Sequence, residues 1–324
     1  MLSDGESTGA GRDRATRHDQ ALCPFCRVGR TRYWYTSTSK SDGKPYPLHV
    51  CLSCRGAFVF PIPSEEDLAR FYRSSSNSME GNLDAVSEAD RYEQVLREEA
   101  EFPNSTLDAQ RIAAATKELL GGRGRVLDVG SGYGFFSRAL IEAGLDVDAI
   151  ELNAAERMIY ARMNGFEPLD SAFNSEFVGS NAGKYDAVLL SQVLEHLPMC
   201  SDPIRNIHGL LRNGGIAVIA VPHFRSYVSR LQGKRDMFIT PPEHLNFFTI
   251  DGLTKAFVLA GFETLQTETI SRYDYNRLRR KLGAAAILPN LALRTFLRAS
   301  DRRGRGMFIN AYFRKVALKK PAGS

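Results

Sequence analysis

The sequence predicts an α/β fold with a doubly wound, mostly parallel sheet, preceded by a small cysteine-rich domain. From about residue 107, short apolar runs alternate with amphipathic helical patterns, and four of the five cysteines precede residue 60. The predicted strands are runs rich in Val, Ile and Leu at 124–130, 145–152, 185–191 and 215–222. The helical patterns between them lie at 134–143, 154–163 and 202–212. Because these strands are apolar throughout, helices should cover both faces of the sheet.

Length and composition limit the classes of protein that this chain can be. At 324 residues it has room for one large domain and one small one. The net charge of +5 permits an anionic partner without requiring one. No apolar run approaches the ~18–20 residues of a membrane span, and the first twenty residues lack the apolar region of a signal peptide. We therefore expect a cytoplasmic protein, in which paired cysteines more often bind metal than form disulfides.

Changes in composition divide the chain into five segments. They are a disordered leader at 1–20, a cysteine-rich domain at 21–60, a helical linker or lid at 61–106, the sheet domain at 107–270, and a basic helical segment with a final edge strand at 271–324. Residues 277–305 hold nine Lys or Arg against one Asp. This stretch is either a solvated helical hairpin or a contact for an anionic substrate or a membrane surface.

The motif with the clearest chemistry is Val-Leu-Asp-Val-Gly-Ser-Gly-Tyr-Gly at 126–134, which follows a strand and opens a helix. Such a turn binds nucleotide-like ligands, because glycine lets the backbone approach them closely. Its G-x-G-x-G spacing differs from the G-x-G-x-x-G that binds a pyrophosphate, which Asp128 would also repel. Asp128 suits a cation such as the amino group of S-adenosylmethionine, and Glu151 after the next strand suits ribose hydroxyls. The alternative is that the glycines only form a tight strand–helix connection without a ligand. That interpretation does not account for Asp128 or Glu151.

Residues 107–270 resemble a class I S-adenosylmethionine-dependent methyltransferase, with VLDVGSGYG as the first motif. YDAVLLSQVLEHL at 185–197 is similar to the fourth-strand motif of that family, and LLRNGGIAVIAVPH at 210–223 to the elements that follow. The segment at 243–263 resembles a small-molecule branch of the superfamily. The resemblance implies a Rossmann-like sheet of seven strands, with adenine bound near Asp170. The expected cofactor-binding residues are Asp128, Gly130, Ser131, Gly132, Gly134, Glu151, Asp170, Ser191 and Gln192.

The cysteine pairs are Cys23-Pro-Phe-Cys26 and Cys51-Leu-Ser-Cys54, separated by 24 residues. Four thiolates at such a spacing can close a tetrahedral zinc site with no open position, so the zinc should be structural. It would replace the apolar core that ~40 residues cannot supply. A redox C-x-x-C is the alternative, but it needs only one pair. With the FVFPIPSEEDLARFY segment that follows, this region also resembles the front end of methyltransferases in bacterial sugar, cell-envelope and secondary-metabolite pathways.

Three histidines are candidate catalytic residues. Methyl transfer from a sulfonium requires the acceptor at near-attack distance, and a hydroxyl or acidic carbon acceptor also needs a base. His244 lies in PPEHLNFF, which we interpret as a lid or pocket wall, and is the first candidate. His223 follows the fifth strand motif and is the second. His196 follows the fourth, where an ordering or capping role is favoured over catalysis.

Three functions compete at this point. The first is methyl transfer to a small-molecule acceptor, such as an anionic sugar nucleotide, a lipid-linked glycan or a secondary-metabolite intermediate. The second is an RNA methyltransferase that uses the ribbon and the basic tail, although the ribbon lacks a basic run with interleaved aromatics. The third is a non-catalytic cofactor-binding protein, which would have no need to keep the glycine motif and both acids.

Overall fold

The computed structural model describes residues 22–74 except 29 and 41, residues 88–198, 201–274 and 283–316, and the single residues 276 and 280. The predicted leader at 1–20 and Cys200 lie outside the described residues, as does part of the segment at 271–324. The described elements follow in chain order: β1 Thr31–Thr38, β2 Pro45–Cys51, β3 Ala57–Val59, α1 Glu65–Ser74, α2 Glu88–Glu101, α3 Asn104–Leu119, β4 Arg125–Val129, α4 Phe135–Glu142, β5 Asp146–Ile150, α5 Ala154–Asn164, α6 Ser175–Ser180, β6 Tyr185–Ser191, α7 Ser201–Leu210, β7 Leu211–Pro222, α8 Tyr227–Gln232, β8 Asn246–Phe247, α9 Ile250–Leu259, β9 Phe262–Ile270, α10 Ile287–Arg302 and β10 Phe308–Lys315.

The central sheet has the order β5-β4-β6-β7-β10-β9 among the described residues. Strands β5, β4, β6 and β7 run parallel, and β10 is antiparallel to both β7 and β9. Beyond β5, Leu169 forms a parallel one-residue bridge with Ile150, so the seventh strand position is marked by a bridge and not by a full strand. The predicted doubly wound, mostly parallel and Rossmann-like sheet is confirmed.

The position of the last strand differs from the expectation of a final edge strand. Strand β10 lies inside the sheet between β7 and β9, and β9 forms the edge. The burial patterns explain the difference, because six consecutive residues of β10 are buried whereas β9 is largely exposed in its middle. A strand with hydrogen-bonded neighbours on both sides is buried along its length, and the sequence alternation alone did not separate the two positions.

Alternate residues of the parallel strands lie in two separate apolar cores. In β7, Ile219 and Val221 belong to the core that includes residues of α7 and α9, whereas Val218 and Ala220 belong to the core that includes residues of α3 and α4. Successive strand residues point to opposite faces of a sheet, so an apolar run of this length requires cover on both sides. This arrangement leaves the ends of the strands as the open parts of the domain.

The cysteine-rich domain is joined to the sheet domain through a second, four-stranded sheet, β1-β2-β3-β8. Strand β8 comes from the segment just before α9, and its Phe247 pairs with Ala57 of β3. Phe25, between the first two cysteines, is fully buried and lies 4.9 Å from Phe248 between ring centroids. The Thr249 hydroxyl donates a hydrogen bond of 2.7 Å to the carbonyl of Cys54. The two regions therefore share one core, although the sequence divides them into consecutive segments.

Within the residues that the structure describes, no helix combines the length and the apolarity that a membrane span requires.

Candidate active site and thiol cluster

The carboxyl ends of the parallel strands bring most of the predicted site residues to one edge of the sheet. Val129 at the end of β4 is opposite Leu190 of β6, and Ser191 is opposite Ala220 of β7. The turns after these strands therefore start at the same level. In open parallel sheets, ligands bind in the crevice at this edge.

The turn from β4 to α4 has a backbone that only glycine adopts easily. Gly130, Gly132 and Gly134 have φ angles of 63°, 53° and 88°. A Cβ at Gly130 would lie 2.8 Å from Cγ2 of Val193, so the backbone here is in close contact with the segment after β6. The Oγ atom of Ser131 is buried and has no hydrogen-bond partner among the described residues. The turn thus holds the Ser131 hydroxyl, which has no partner in the described residues, on a constrained backbone.

Glu151 is held directly against this turn. One oxygen of its carboxylate accepts a hydrogen bond of 3.0 Å from the amide of Gly132, and the other accepts one of 2.8 Å from the amide of Asn153. Asp128, buried beneath the turn, accepts a hydrogen bond of 2.7 Å from the hydroxyl of Ser137. The structure therefore brings together the two acids that the sequence singled out.

A third carboxylate, Glu156, was missed at the level of sequence. A Cβ at Gly132 would lie 3.5 Å from its Oε2 atom. Glu156 is the fourth residue of Asn-Ala-Ala-Glu, and Asn153 caps α5, so the pattern is that of an ordinary capping box. The sequence pattern that could have indicated Glu156 is a pair of acids five residues apart, Glu151 and Glu156, directly after β5.

The charge of Glu151 disfavours ionisation of both neighbouring acids. Burial raises the pKa of Asp128 to about 7, and the charge of Glu151 adds to the rise while the Ser137 hydroxyl opposes it. Burial and the charge of Glu151 also raise the pKa of Glu156 to about 7. Such a group of carboxyls is poised to take up a cation, because a positive charge would relieve both the repulsion and the desolvation.

The other three predicted cofactor residues have different surroundings. Asp170 is exposed, and its carboxylate pairs with Arg157 at 3.0 Å and not with the turn. Ser191 has a buried Oγ atom without a hydrogen-bond partner in the described part of the chain. Gln192 has a φ of 57°, and its amide donates to the carbonyl of Ala220 at 2.8 Å. A non-glycine residue in this conformation is strained, and such residues concentrate at functional sites.

Two of the three candidate histidines lie together above the segment after β6. The rings of His196 and His244 are 4.7 Å apart between centroids. Nδ1 of His244 donates to the carbonyl of Phe238 at 2.8 Å, and Nδ1 of His196 donates to the carbonyl of Glu243 at 2.9 Å. Since a carbonyl can only accept, Nδ1 carries the proton in both rings, and Nε2 of the neutral His244 ring has its lone pair available.

His223 lies apart from this pair. It is buried after β7, and its Nδ1 donates to the carbonyl of Gly306 at 3.0 Å. Burial lowers its pKa to about 4, with a further contribution from the charges of Arg305 and Arg225. Burial also lowers the pKa of His244, but there the carboxylates of Glu243 and Asp236 act in the opposite direction.

Glu195 completes the group around His244. Its carboxyl is buried, and neither oxygen has a hydrogen-bond partner among the described residues. Burial raises its pKa to about 8. One ligand atom from each of Glu195, His196 and His244 lies within 4.8 Å of the others. Carboxylate and imidazole are ligands for divalent cations, so this group is a second candidate metal position after the cysteines.

The four cysteines converge as the sequence predicts. Sγ of Cys23 lies 3.6 Å from that of Cys54, and Sγ of Cys26 lies 3.6 Å from that of Cys51. These separations exclude disulfides, in which the sulfurs lie ~2.05 Å apart. Tetrahedral Zn–S bonds of ~2.3 Å place the sulfurs roughly 3.8 Å apart, close to the observed distance. The amides of Ser53 and Cys54 point at Sγ of Cys51, at 3.3 and 3.4 Å, which favours the thiolate form. The donor set therefore fits zinc.

Comparison with known proteins supplies the family. Residues 101–267, more than half of the chain, match the family model described as a methyltransferase domain. The chain belongs to this methyltransferase family. The glycine turn at 130–134 and the acids Asp128, Glu151 and Glu156 all lie within the matched region. The thiol cluster lies before the matched region.

Curated relatives of the methyltransferase match part of the chain. It is 38% identical over 96 residues to a ubiquinone biosynthesis O-methyltransferase of Bordetella avium, a match that covers 28% of the chain and 39% of the relative. A ubiquinone biosynthesis O-methyltransferase of Aromatoleum aromaticum is 28% identical over 153 residues, which cover 44% of the chain and 65% of the relative. In both cases the match spans less than two thirds of the relative's own length.

Solved structures similar to the methyltransferase have low sequence identity to it. One is 1,6-didemethyltoxoflavin-N1-methyltransferase of Burkholderia thailandensis, with a TM-score of 0.49, 15% identity, and coverage of 82% of this chain and 98% of that one. Another is a SAM-dependent methyltransferase of Archaeoglobus fulgidus, with a TM-score of 0.48, 18% identity, and coverage of 68% and 99%.

The raised pKa of Asp128 predicts a pH dependence of stability in the cofactor-free methyltransferase. Its carboxyl titrates from the ordinary value of 3.8 when unfolded and from about 7 when folded. The folded state therefore binds this proton more tightly, and the stability that it contributes below pH ~4 is lost as the pH rises through about 7. As the pH rises between these two values, the free energy of unfolding of Asp128→Asn should increase relative to that of the wild type by up to about 4 kcal/mol. Urea unfolding at several pH values measures this difference.

The matched control for this experiment is Asp146→Asn, because Asp146 is exposed at the start of β5. Its free energy of unfolding should follow the wild type at every pH. A constant difference between the Asp128 variant and the wild type across the range would contradict the proposed ionisation of Asp128.

Proposed function

We propose that this methyltransferase transfers the methyl group of S-adenosylmethionine to a hydroxyl of a small molecule, such as a sugar, cell-envelope or secondary-metabolite intermediate. The observation that carries the proposal is the group of three carboxyls around the glycine turn. His244, whose Nε2 is free, precedes a segment that is hydrogen-bonded to Glu195 after β6. The O-methyltransferase names of the curated relatives support a hydroxyl acceptor.

The cofactor would bind across the turn after β4. Bound there, it supplies a methyl group on a positively charged sulfonium, which needs no further activation. Asp128 and Glu156 would offset the positive charge of the ligand, and Glu151 would accept hydrogen bonds from both ribose hydroxyls. Ser131 and Ser191 each offer a buried hydroxyl without a partner in the described residues. The proposed site also includes Gly130, Gly134, Gln192 and Asp170. Asp170 would lie at the end that binds adenine.

His244 is the proposed general base. Its Nε2 is free to accept a proton from the acceptor hydroxyl, because Nδ1 is already donating to Phe238. The charges of Glu243 and Asp236 favour its protonated form, whereas those of Arg305 and Arg225 disfavour protonation of His223. The His196 ring is held by backbone groups of Glu243 and Gln192, which suits an ordering role.

A structural zinc ion is proposed for the thiol cluster. Bound by the four thiolates, it would hold the cysteine pairs against Thr249 and Gly252, whose Cβ position lies 3.4 Å from Sγ of Cys54. Because α9 begins at this contact, zinc would also stabilise the segment that carries His244.

The first prediction concerns the cofactor. Glu151→Ala should weaken S-adenosylmethionine binding by at least about tenfold through the lost ribose contacts, and Gly132→Val should do so by placing a branched side chain at a φ of 53°. Titration calorimetry measures both affinities. Gly179→Val is the control, since nothing lies within 4 Å of its Cβ position. Wild-type affinity in both turn variants would refute the assigned site.

The second prediction concerns the metal. Purified protein should contain one zinc per chain, and Cys26→Ser or Cys54→Ser should release it, because three thiolates and a hydroxyl bind zinc more weakly than four thiolates. Metal analysis by mass spectrometry gives the stoichiometry. Cys200→Ser, which changes the fifth cysteine, should keep the zinc. Protein purified without chelators and free of zinc would overturn the assignment.

The third prediction concerns the base. His244→Ala should lower kcat by roughly 10²–10⁴ with little change in S-adenosylmethionine affinity, as expected for lost general-base catalysis. Release of S-adenosylhomocysteine, followed over a panel of phenols, catechols and sugar nucleotides, supplies the assay. His196→Ala should act mainly on stability or cofactor affinity. Near-normal turnover of the His244 variant would transfer the role to His223.

A further inference from the structure

A separate cavity lies between the cysteine-rich domain and the loop after β7. Its volume is about 290 Å³, and aromatic, hydroxyl and cationic side chains line it. The lining residues are Trp34, Phe224, Arg225, Ser229, Arg230 and Gly233. The rings of Trp34 and Phe224 are 5.4 Å apart between centroids and form the apolar wall. Neither belongs to the cofactor site described above.

Two arginines, Arg225 and Arg230, line this cavity, and the charges of two more, Arg55 and Arg305, act on Arg225 from distant parts of the chain. Arg55 follows the second cysteine pair, Arg225 and Arg230 flank the start of α8, and Arg305 precedes β10. The carbonyl of Arg305 accepts a hydrogen bond of 3.0 Å from the amide of Tyr227. This bond holds the segment before β10 against the start of α8.

The charged groups that act on Arg225 are cationic. Burial lowers the pKa of Arg225, and the charges of Arg230, Arg55 and Arg305 lower it further. Among the ion pairs of the described residues, none includes any of the four. The carboxylate of Asp236 interacts with the hydroxyl of the lining residue Ser229 and accepts a hydrogen bond from the amide of Phe238 at 3.2 Å. A half-buried guanidinium beside three like charges is unfavourable unless an anion joins it.

We propose that this cavity binds the phosphate or diphosphate group of a small-molecule ligand, with Trp34 against the ring or sugar next to that group. Phosphate oxygens accept several hydrogen bonds at once and match the planar fork of arginine. Ser229 lines the same cavity, and its hydroxyl donates a hydrogen bond to the carbonyl of Phe224. Because its one proton is used in this way, the hydroxyl cannot also donate to an anion. The arginines therefore carry the recognition.

The position of the cavity relates it to methyl transfer. Arg225 follows His223 by two residues, and both come directly after β7 at the edge of the sheet that carries the glycine turn. A phosphorylated acceptor anchored here would reach toward that edge. This role as acceptor rests on the proposed function, whereas binding of the anion does not.

The protein contains a single tryptophan, so the fluorescence of Trp34 reports on the cavity directly. Titration with inorganic pyrophosphate and with uridine diphosphate should change this fluorescence saturably, and uridine should not. Arg225→Gln and Arg230→Gln should each weaken both affinities by about ten- to hundredfold. Arg123→Gln, at an exposed position before β4 on the opposite edge of the sheet, is the matched control and should bind as the wild type does.

Calorimetry on the same titrations covers the case in which binding leaves the fluorescence unchanged. The proposal would be overturned if pyrophosphate and uridine diphosphate changed neither the fluorescence nor the heat of titration. Equal affinities in the wild type and both arginine variants would also overturn it. Folding of the variants is checked by thermal unfolding, where removing one repelled charge should leave the melting temperature unchanged or raise it.

Two further arms separate this proposal from the assigned methyl transfer. Farnesyl diphosphate tested beside uridine diphosphate shows whether a lipid or a nucleotide carries the group; tighter binding of either supports the site. S-adenosylmethionine affinity should be the same in Arg225→Gln and the wild type. If the cofactor fails to bind at all while pyrophosphate binds through the arginines, the methyl-transfer proposal fails and the anion site stands.

Discussion

Negative charge confined around one glycine turn is the constraint on which the site depends. Asp128 is buried under the turn, Glu151 is bonded to its amide at Gly132, and Glu156 approaches it from α5. Burial and the charge of Glu151 make ionisation of Asp128 and Glu156 more costly, and a bound cation would offset that cost. The parallel sheet makes this crowding unavoidable, because the ends of β4 and β5 lie side by side.

The remainder of the molecule holds the acceptor side against that turn. Val193 contacts Gly130, and the amides of Leu245 and Asn246 donate to the carbonyl of Glu195 at 2.8 and 3.0 Å. Strand β8, just beyond, pairs with the cysteine-rich sheet. The thiol cluster is thus connected through a few hydrogen bonds to the segment that carries His244. A structural metal in the small domain would in this way fix the geometry of the large one.

Local sequence patterns were sufficient for the elements that depend on local chemistry. The glycine turn, the acids Asp128 and Glu151, and the cysteine pairs could be predicted because each is encoded within a few residues. The position of β10 inside the sheet and the pairing of β8 with β3 could not, since they depend on contacts between distant segments. The cavity that joins Trp34 to Arg225 and Arg230 was missed for the same reason. Glu156 was hidden by a pattern that has an ordinary structural explanation.

Proton release on cofactor binding tests the central claim most directly. If buried carboxyls with pKa values near 7 receive the positive charge of S-adenosylmethionine, their pKa values must fall and protons must leave the protein. Calorimetry at pH ~6.5 in buffers of different ionisation enthalpy counts these protons. The structure predicts net release, reduced in Asp128→Asn. Binding without proton exchange, or with uptake, would show that these acids are not the groups that meet the cofactor.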